Sequence, residues 1–410
     1  MSKKRFGLLG DSLTHSYSPF IHSELGSYEY NLYEIKNDDL DNFLKRGDFD
    51  GLNVTIPYKK SVIPYCRGLS ETARMSGSVN TIKKLEDGSL YGDNTDFFGF
   101  DYLLKKTGVN PAAGKSIILG SGGSSLTVQA VLRSAKAKEI VVISRQGGDN
   151  YKNIAKHSDA RIIINSTPAG MYPNNGLSPL ADLSVFKNCE AVIDLIYNPS
   201  RTELLLQAEE RGVYGANGLL MLAAQAKKSA EIFTETLIAD EKIEEIAIKI
   251  ASKTRNIILI GMPGCGKTSI GKELAKISGR AFADTDEKII KDSGKSIPEI
   301  FSLDGEDEFR ALESGALRSL CKESGLVIAT GGGIVKRSEN LRIMRQNGII
   351  VFLDRDIGRL EITGRPLSEK EGLNKLAEER LPLYSRWNDY AVKVSGVNET
   401  ARALYQKLIA

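Results

Sequence analysis

Two glycine-rich turns, each set behind a short apolar run and ahead of a helix-forming stretch, restrict this chain to the α/β class. The first is Gly120-Ser121-Gly122-Gly123, behind Lys115–Leu119. The second is Gly261-Met262-Pro263-Gly264-Cys265-Gly266-Lys267-Thr268, behind Asn256–Ile260. A strand that turns directly into a helix points backbone N–H groups and the positive helix end at whatever lies beyond it, which suits an anion. The first turn has the form of a dinucleotide loop. The second carries the full G-x-x-x-x-G-K-T spacing of a triphosphate loop. Two such turns imply two chemistries on one chain.

The chain of 410 residues has room for several domains, each with its own core. Strand-like runs at 5–9, 28–35, 51–56 and 78–84 alternate with polar helical stretches and outline an N-terminal α/β domain over 1–104. A second domain, 105–218, holds strand, glycine turn and helix, then strands at Glu139–Ile143, 161–164 and 191–196, the layout of a dinucleotide-binding half. Residues 218–253 read as almost continuous helix, and helices of 219–252 complete the first domain. A third domain occupies 255–410. The sheets are expected to be mainly parallel.

Composition excludes several classes. With 41% hydrophobic and 26% charged residues the chain is not bulk-disordered, and a net charge of +3 leaves no nucleic-acid or membrane footprint. No apolar run approaches the roughly 20 residues of a membrane span. The N-terminal lysines run straight into a strand without a signal-peptide core. Cys66, Cys189, Cys265 and Cys321 are scattered and form no C-x-x-C pair, so a reducing cytoplasm is expected rather than a disulfide framework or zinc site.

The strand after the first glycine turn ends Ile143-Ser144-Arg145, where an NAD site wants a carboxylate for the ribose hydroxyls. A guanidinium there suits a 2′-phosphate through charge-assisted hydrogen bonds, which favours NADP; a plain solvated arginine is the alternative. The N-terminal domain concentrates small polar groups: His15-Ser16-Tyr17-Ser18-Pro19, Asn53-Val54-Thr55-Ile56-Pro57-Tyr58-Lys59, and Gly92-Asp93-Asn94-Thr95-Asp96. Singly these are turns and caps. Together they suit a ligand with several hydroxyls and a carboxylate.

These motifs, with Val79-Asn80-Thr81 and Gly218-x-x-Met221-Leu222-x-x-Gln225-Ala226, resemble shikimate dehydrogenase in order and register over about 1–250. The resemblance implies that Ser16 and Ser18 hold the substrate carboxylate and that Thr55, Asn80, Asp96 and Gln225 hold ring hydroxyls. It makes Lys59 and Asp96 the catalytic pair. It sets Gly120, Ser121, Gly122, Gly123, Ser144, Arg145, Thr167 and Met171 beside the cofactor, with Tyr197, Gly218 and Met221 near nicotinamide and substrate. Hydride addition to a ring ketone leaves alkoxide charge, and the Lys59 ammonium can supply the proton while Asp96 orients it. Thr127 stands where the family has a small residue, which questions close helix–strand packing there.

The second turn binds phosphate by its backbone N–H groups, with Gly264, Cys265, Gly266, Lys267, Thr268 and Ser269 around the anion and Thr268 on Mg²⁺. By itself it fits an ATPase, a GTPase switch or a small-molecule kinase. Asp284-Thr285-Asp286, Gly305-Glu306-x-x-Phe309-Arg310-x-x-Glu313, Thr330-Gly331-Gly332-Gly333, Arg365-Pro366-Leu367 and Arg380-x-Pro382-Leu383-Tyr384 follow it. Arg310 and Glu313, three apart, share a helix face. This constellation resembles shikimate kinase over about 255–400, a P-loop α/β fold of nucleoside-monophosphate-kinase type. It implies Asp284 beside Mg²⁺ and Asp286 on ring hydroxyls, able to act as base. Arg310, Arg380, Gly332 and Gly333 would hold shikimate, and Arg365 would come in on a lid over 359–368 to stabilise transferring charge.

The expectation is a bifunctional enzyme: NADPH-dependent reduction of 3-dehydroshikimate, then phosphorylation of shikimate by ATP with Mg²⁺, both acting on small molecules. One alternative makes the first half a quinate/shikimate dehydrogenase using NAD. A remote one is a non-catalytic ligand sensor, which predicts losses among Lys59, Asp96, Lys267, Asp284, Asp286 and Arg365, all of which are present.

Overall fold

Isoleucine, valine and leucine runs bounded by glycine and polar turns become short buried strands, with amphipathic helices covering their faces. The structure, a computed structural model, describes residues 4–13, 16–360 and 372–409. It divides into two units: Met1–Ala169, Ser178–Tyr197 and Gln207–Ile248 form the first, and Gly170–Leu177, Asn198–Leu206 and Lys249–Ala410 the second. No helix among the described residues is long and apolar enough to cross a membrane.

The first unit holds two sheets. Strands β1 (Arg5–Gly10), β2 (Glu29–Glu34), β3 (Gly51–Val54), β4 (Cys66–Leu69), β5 (Thr81–Lys84) and β6 (Leu90–Asp93) lie in the order β2-β1-β3-β5-β6-β4. This sheet is mixed, because β5 pairs antiparallel with both β3 and β6. The connection from β5 to β6 is a tight turn with Gly88 at φ +80°, too short for the crossover that parallel pairing needs. The second sheet, β7 (Lys115–Leu119), β8 (Glu139–Ile143), β9 (Ile162–Asn165), β10 (Ala191–Asp194) and β11 (Tyr214–Asn217), is parallel in the order β11-β10-β9-β7-β8. Thr127 is accommodated in it, buried in the helix Gly123–Ser134.

The expected helix over 218–253 is two helices, Leu219–Thr234 and Glu241–Thr254. Glu235 ends the first in the left-handed region at φ +57°. Lys227 fixes the break by pairing with Glu231 at 2.7 Å and with Asp240 beyond it at 2.9 Å. The second unit is one parallel sheet, β12 (Asn256–Ile260), β13 (Phe282–Asp284), β14 (Val327–Ala329), β15 (Gly348–Asp354) and β16 (Tyr390–Lys393), in the order β13-β14-β12-β15-β16.

One packing detail sets the geometry of the first unit. The helix Thr95–Thr107 lies so close to Leu219–Thr234 that a Cβ on Gly99 would be 2.6 Å from the Met221 carbonyl oxygen and 3.0 Å from the Gln225 Cβ. That approach brings the first turn of one helix, with Asp96, toward Gln225 of the other. Gly99→Val is expected to shift the urea midpoint for unfolding of the first unit downward by an amount worth about 1–3 kcal/mol, leaving the second unit unaffected. An unchanged midpoint would mean that the two helices can move apart at no cost.

Candidate active sites

The polar residues of the first sheet sort into supports and open groups. Asn94 caps the helix Thr95–Thr107, accepting from the Phe97 N–H at 3.2 Å and donating to Ser78, so it is structural. Asp93 is occupied by Ser70 and Thr72. Asn80 is buried, and its Oδ1 accepts from the Thr95 backbone N–H at 2.7 Å, the Thr95 hydroxyl at 3.2 Å and the Thr81 hydroxyl at 3.1 Å. Its amide nitrogen makes no such bond to the described residues. Ser18 opens the helix Ser18–Leu25, and its N–H donates to the Ser16 hydroxyl at 3.2 Å. His15 lies outside the described residues. Thr55 follows β3 half-buried, its N–H bonded to the Leu9 carbonyl. Gln225 donates to the Leu222 carbonyl at 3.0 Å.

Lys59 and Asp96 meet at 2.5 Å, with side chains only 23% and 13% exposed. A solvated surface ion pair would be far more open and worth little; this one is sheltered. Val79 donates its N–H to the Lys59 carbonyl at 2.8 Å, which ties the lysine segment to the strand edge that carries Asn80.

On the second sheet, Gly120 needs to be glycine, since at φ +100° its Cβ would stand 2.8 Å from the Thr167 methyl. Gly122 and Gly123 have open space where a Cβ would lie. Nothing among the described residues demands glycine at these two positions, and the open space leaves room for close approach of a ligand to the backbone. Thr167 is set by Asn165, whose Oδ1 takes both its N–H at 2.9 Å and its hydroxyl at 2.7 Å, while Asn165 itself donates to the buried Asp194. Ser144 forms a bridge to Asn150 just past β8, and Arg145 is exposed with no partner among the described residues. Gly218 caps Leu219–Thr234, and a Cβ there would collide with the Leu195 carbonyl. Met221 is buried in the same helix, Met171 is exposed, and Tyr197 packs on Tyr17 with ring centroids 5.8 Å apart. These residues fit NADP: an open glycine turn at a helix start, and an unpaired cation at the end of the next strand.

In the second unit, Gly261, Gly264 and Gly266 sit at φ +147°, +81° and +100°. The loop curls so that Lys267 Nζ donates to the Gly261 and Met262 carbonyls at 2.9 and 3.0 Å. Cys265 is fully buried beneath it, and Thr268 and Ser269 are exposed in the first turn of the helix Lys267–Ser278. Thr268 donates to Asp284 at 2.9 Å, bringing together a hydroxyl and a carboxylate that suit Mg²⁺. The other Asp284 oxygen caps the next helix through the Asp286 N–H.

Asp286 is the most perturbed acid of the site. Burial, with the charges of Asp284 and Glu313 behind it, pushes its carboxyl up to about 6 against Lys267 and Arg310. Its Oδ1 has no partner among the described residues, nor has Glu313 Oε1, nor Nε and one terminal nitrogen of the buried Arg380. Arg310 is buried too, donating to Glu313 at 2.7 Å and to Glu306 at 3.1 and 3.2 Å. Gly331 and Gly333 allow these groups to gather: a Cβ on Gly331 would strike Glu313 and lie 3.2 Å from Asp286, and one on Gly333 would strike Arg310. A Cβ on Gly332 would be 2.8 Å from Pro263. The result is a buried floor of acid and guanidinium groups beside the glycine loop, partly paired with one another, with individual atoms of Asp286, Glu313 and Arg380 left unpartnered among the described residues. Arg365 and residues 361–368 of the expected lid lie outside the described residues.

Glu313 and Tyr384 stand in the sequence motifs without the parts they play in the fold, and Arg355 is not singled out at all. Glu313 was noted only for its spacing, yet it anchors Arg310. The Tyr384 hydroxyl donates to the Gly332 carbonyl and fixes the glycine turn. Arg355, just past β15, has a guanidinium nitrogen 3.8 Å from where a Cβ on Gly266 would lie. Its place after a parallel strand was the available signal.

The family described as shikimate dehydrogenase substrate binding domain matches residues 8–82, and the shikimate kinase family matches residues 263–410. A shikimate dehydrogenase (NADP(+)) of Clostridium perfringens is 36% identical over 267 residues, spanning 59% of this chain and 97% of that protein. Among solved structures, the chorismate mutase/shikimate 5-dehydrogenase fusion protein from Clostridium acetobutylicum is 36% identical with a TM-score of 0.58, covering 61% of this chain and 97% of that one. The shikimate 5-dehydrogenase from Thermus thermophilus, solved with NADP(H) and shikimate, is 30% identical with a TM-score of 0.55, covering 60% and 98%. The chain therefore belongs to the shikimate dehydrogenase family in its first part and carries a shikimate kinase domain behind it, a bifunctional enzyme of the shikimate pathway that uses NADP at one site and ATP with Mg²⁺ at the other.

Proposed function

We propose that Lys59 and Asp96 carry the reduction of 3-dehydroshikimate, with Ser16, Ser18, Thr55, Asn80, Tyr197 and Gln225 holding the substrate. NADPH bound by the Gly120–Gly123 turn, Ser144, Arg145, Thr167, Gly218 and Met221 supplies the hydride. The Lys59 ammonium donates a proton to the oxygen that gains charge, and Asp96 keeps the ammonium aimed at it. The sheltered 2.5 Å contact between the two is the observation that carries this reading. Lys59→Ala is expected to lower kcat by about 10²–10⁴ with KM for shikimate little changed. Retained turnover would assign the proton to another group.

Arg145 is the proposed selector of the 2′-phosphate. Its guanidinium is unpaired at a strand end where an NAD enzyme would place a carboxylate, and this weighs against the NAD-dependent quinate/shikimate reading. Arg145→Ala should reduce the ratio of kcat/KM for NADPH over NADH by about tenfold or more, the worth of a charge-assisted hydrogen bond. An unchanged ratio would remove Arg145 from cofactor choice.

At the second site we propose that ATP, with Mg²⁺ held by Thr268 and Asp284, supplies the phosphoryl group. Gly264, Cys265, Gly266, Lys267 and Ser269 surround its phosphates, and Arg365 stabilises the transferring charge. Arg310, Arg380, Gly332 and Gly333 position shikimate. Asp286 accepts the proton of the 3-hydroxyl and must be ionised to do so. Since its carboxyl stays protonated up to about 6, kcat/KM for shikimate is expected to climb as pH rises through that value and then level off. Asp286→Asn should abolish both the limb and most of the activity. A wild-type profile flat from pH 5 to pH 8 would count against Asp286 as the acceptor.

Both substrates are small molecules, and no nucleic-acid or membrane partner is proposed. The four free cysteines support a reducing cytoplasm.

A further inference from the structure

The motif Asn53-Val54-Thr55 contributes Thr55 to the site, but Asn53 has no part in the mechanism above, and neither has Thr81. Both are buried and polar, and their hydrogen bonds form a continuous chain. The Tyr30 hydroxyl donates to Asn53 Oδ1 at 2.8 Å. Asn53 Nδ2 donates to the Thr81 hydroxyl oxygen at 3.3 Å, and Thr81 passes its own proton to Asn80 Oδ1 at 3.1 Å. Ser229 lies 3.5 Å from the same Asn53 oxygen, and His22 is buried too. His22 in turn stacks on Tyr30 with ring centroids 3.9 Å apart and meets the Tyr28 hydroxyl at 2.7 Å. Asn53 thus has its oxygen and one amide hydrogen engaged inside the protein.

The direction of this chain matters more than its existence. A side-chain amide can be turned over to exchange its donor and acceptor ends. Asn80 is denied that choice, because one partner of its Oδ1 is the Thr95 backbone N–H, which can only donate. The Thr95 hydroxyl is a second donor to the same oxygen and the Thr81 hydroxyl a third; Thr81 also meets the Thr95 hydroxyl at 3.1 Å, and the amide of Asn53 on its oxygen turns its proton toward this pair. We infer that Thr81, aligned by Asn53, is a positioning residue that holds Asn80 as a hydrogen-bond donor toward the substrate and so sets which ring hydroxyl arrangement the site accepts. Asp96, one residue beyond Thr95, presents the opposite polarity. A ring bearing hydroxyls on adjacent carbons meets one fixed donor and one fixed acceptor, and a ring lacking an oxygen at the first position leaves a buried amide unpaired.

The inference rests on Asn80 as a substrate ligand, and the test separates the two. In the full-length enzyme, Thr81→Val keeps the shape and removes the hydroxyl. It should raise KM for shikimate by about tenfold, the factor carried by one well-placed hydrogen bond. The kcat and the KM for NADP should change less than twofold, because Lys59, Asp96 and the glycine turn are untouched. Thr81→Ser should restore wild-type KM, and Asn53→Asp, which removes the donor to Thr81, should reproduce the valine defect. Kinase activity of the same chain normalises the amount of enzyme, and the unchanged KM for NADP reports that the first half is intact. A KM unchanged in Thr81→Val, or a loss confined to kcat or thermal stability, would overturn the inference. If Thr81→Val destroys the dehydrogenase while the kinase persists, the serine and Asn53→Asp variants decide: wild-type KM in the latter overturns it. Asn80→Ala with undiminished shikimate binding would instead remove Asn80 itself from the site.

Discussion

Parallel pairing puts the carboxyl ends of neighbouring strands on one edge of a sheet, and both nucleotide sites here are built on such an edge. In the second sheet Gly120 follows β7, Arg145 follows β8 and Thr167 follows β9. In the third, Gly261 follows β12, Thr330 follows β14, Arg355 follows β15, and Asp284 ends β13. Groups separated by scores of residues in sequence therefore share an edge before any side chain packs. The mixed sheet is different: β5 runs against its neighbours, so Asn80, just before β5, lies beside residues that follow β3 and β6. That reversal brings Asn80, Thr55 and Thr95 together.

A second constraint acts within each edge. Buried polar groups are costly unless bonded, and these sites satisfy one part of a side chain internally while leaving another for a ligand. Asn80 has its oxygen occupied and its nitrogen clear. Arg310 gives part of its guanidinium to Glu313 and Glu306. Lys267 rests on its own loop's carbonyls, a bond that a phosphate can displace because both are acceptors for the same ammonium. Such half-satisfied groups have their orientation fixed before ligand arrives, which limits the ordering cost on binding.

Much of this was legible in the sequence, for identifiable reasons. Glycine turns after apolar strands announce themselves, because few other residues tolerate φ near +100° or backbone approach. The chemistry-bearing motifs were legible because each compresses several polar residues into a short loop. Strands β4, β6 and β11 were missed: Cys66–Leu69, Leu90–Asp93 and Tyr214–Asn217 each have four residues including a glycine, too short and mixed to show a period. The helix break at Glu235 was missed because Lys227, Glu231 and Asp240 that secure it are ordinary helix-surface residues in sequence. Asn53 was read with its motif as a ligand element, and only the fold shows that its oxygen and one amide hydrogen are engaged by Tyr30 and Thr81.

The contrast between the two sites follows from what each must bring about. In the first, a lysine and an aspartate of opposite charge form a sheltered pair. In the second, Asp286 is crowded by Asp284 and Glu313 in a buried floor, so burial and like charges hold it protonated to a higher pH than an ordinary carboxyl. A group held that way is a poor acceptor alone and a better one once positive charge arrives beside it. Each neighbouring cation lowers the cost of its ionised form.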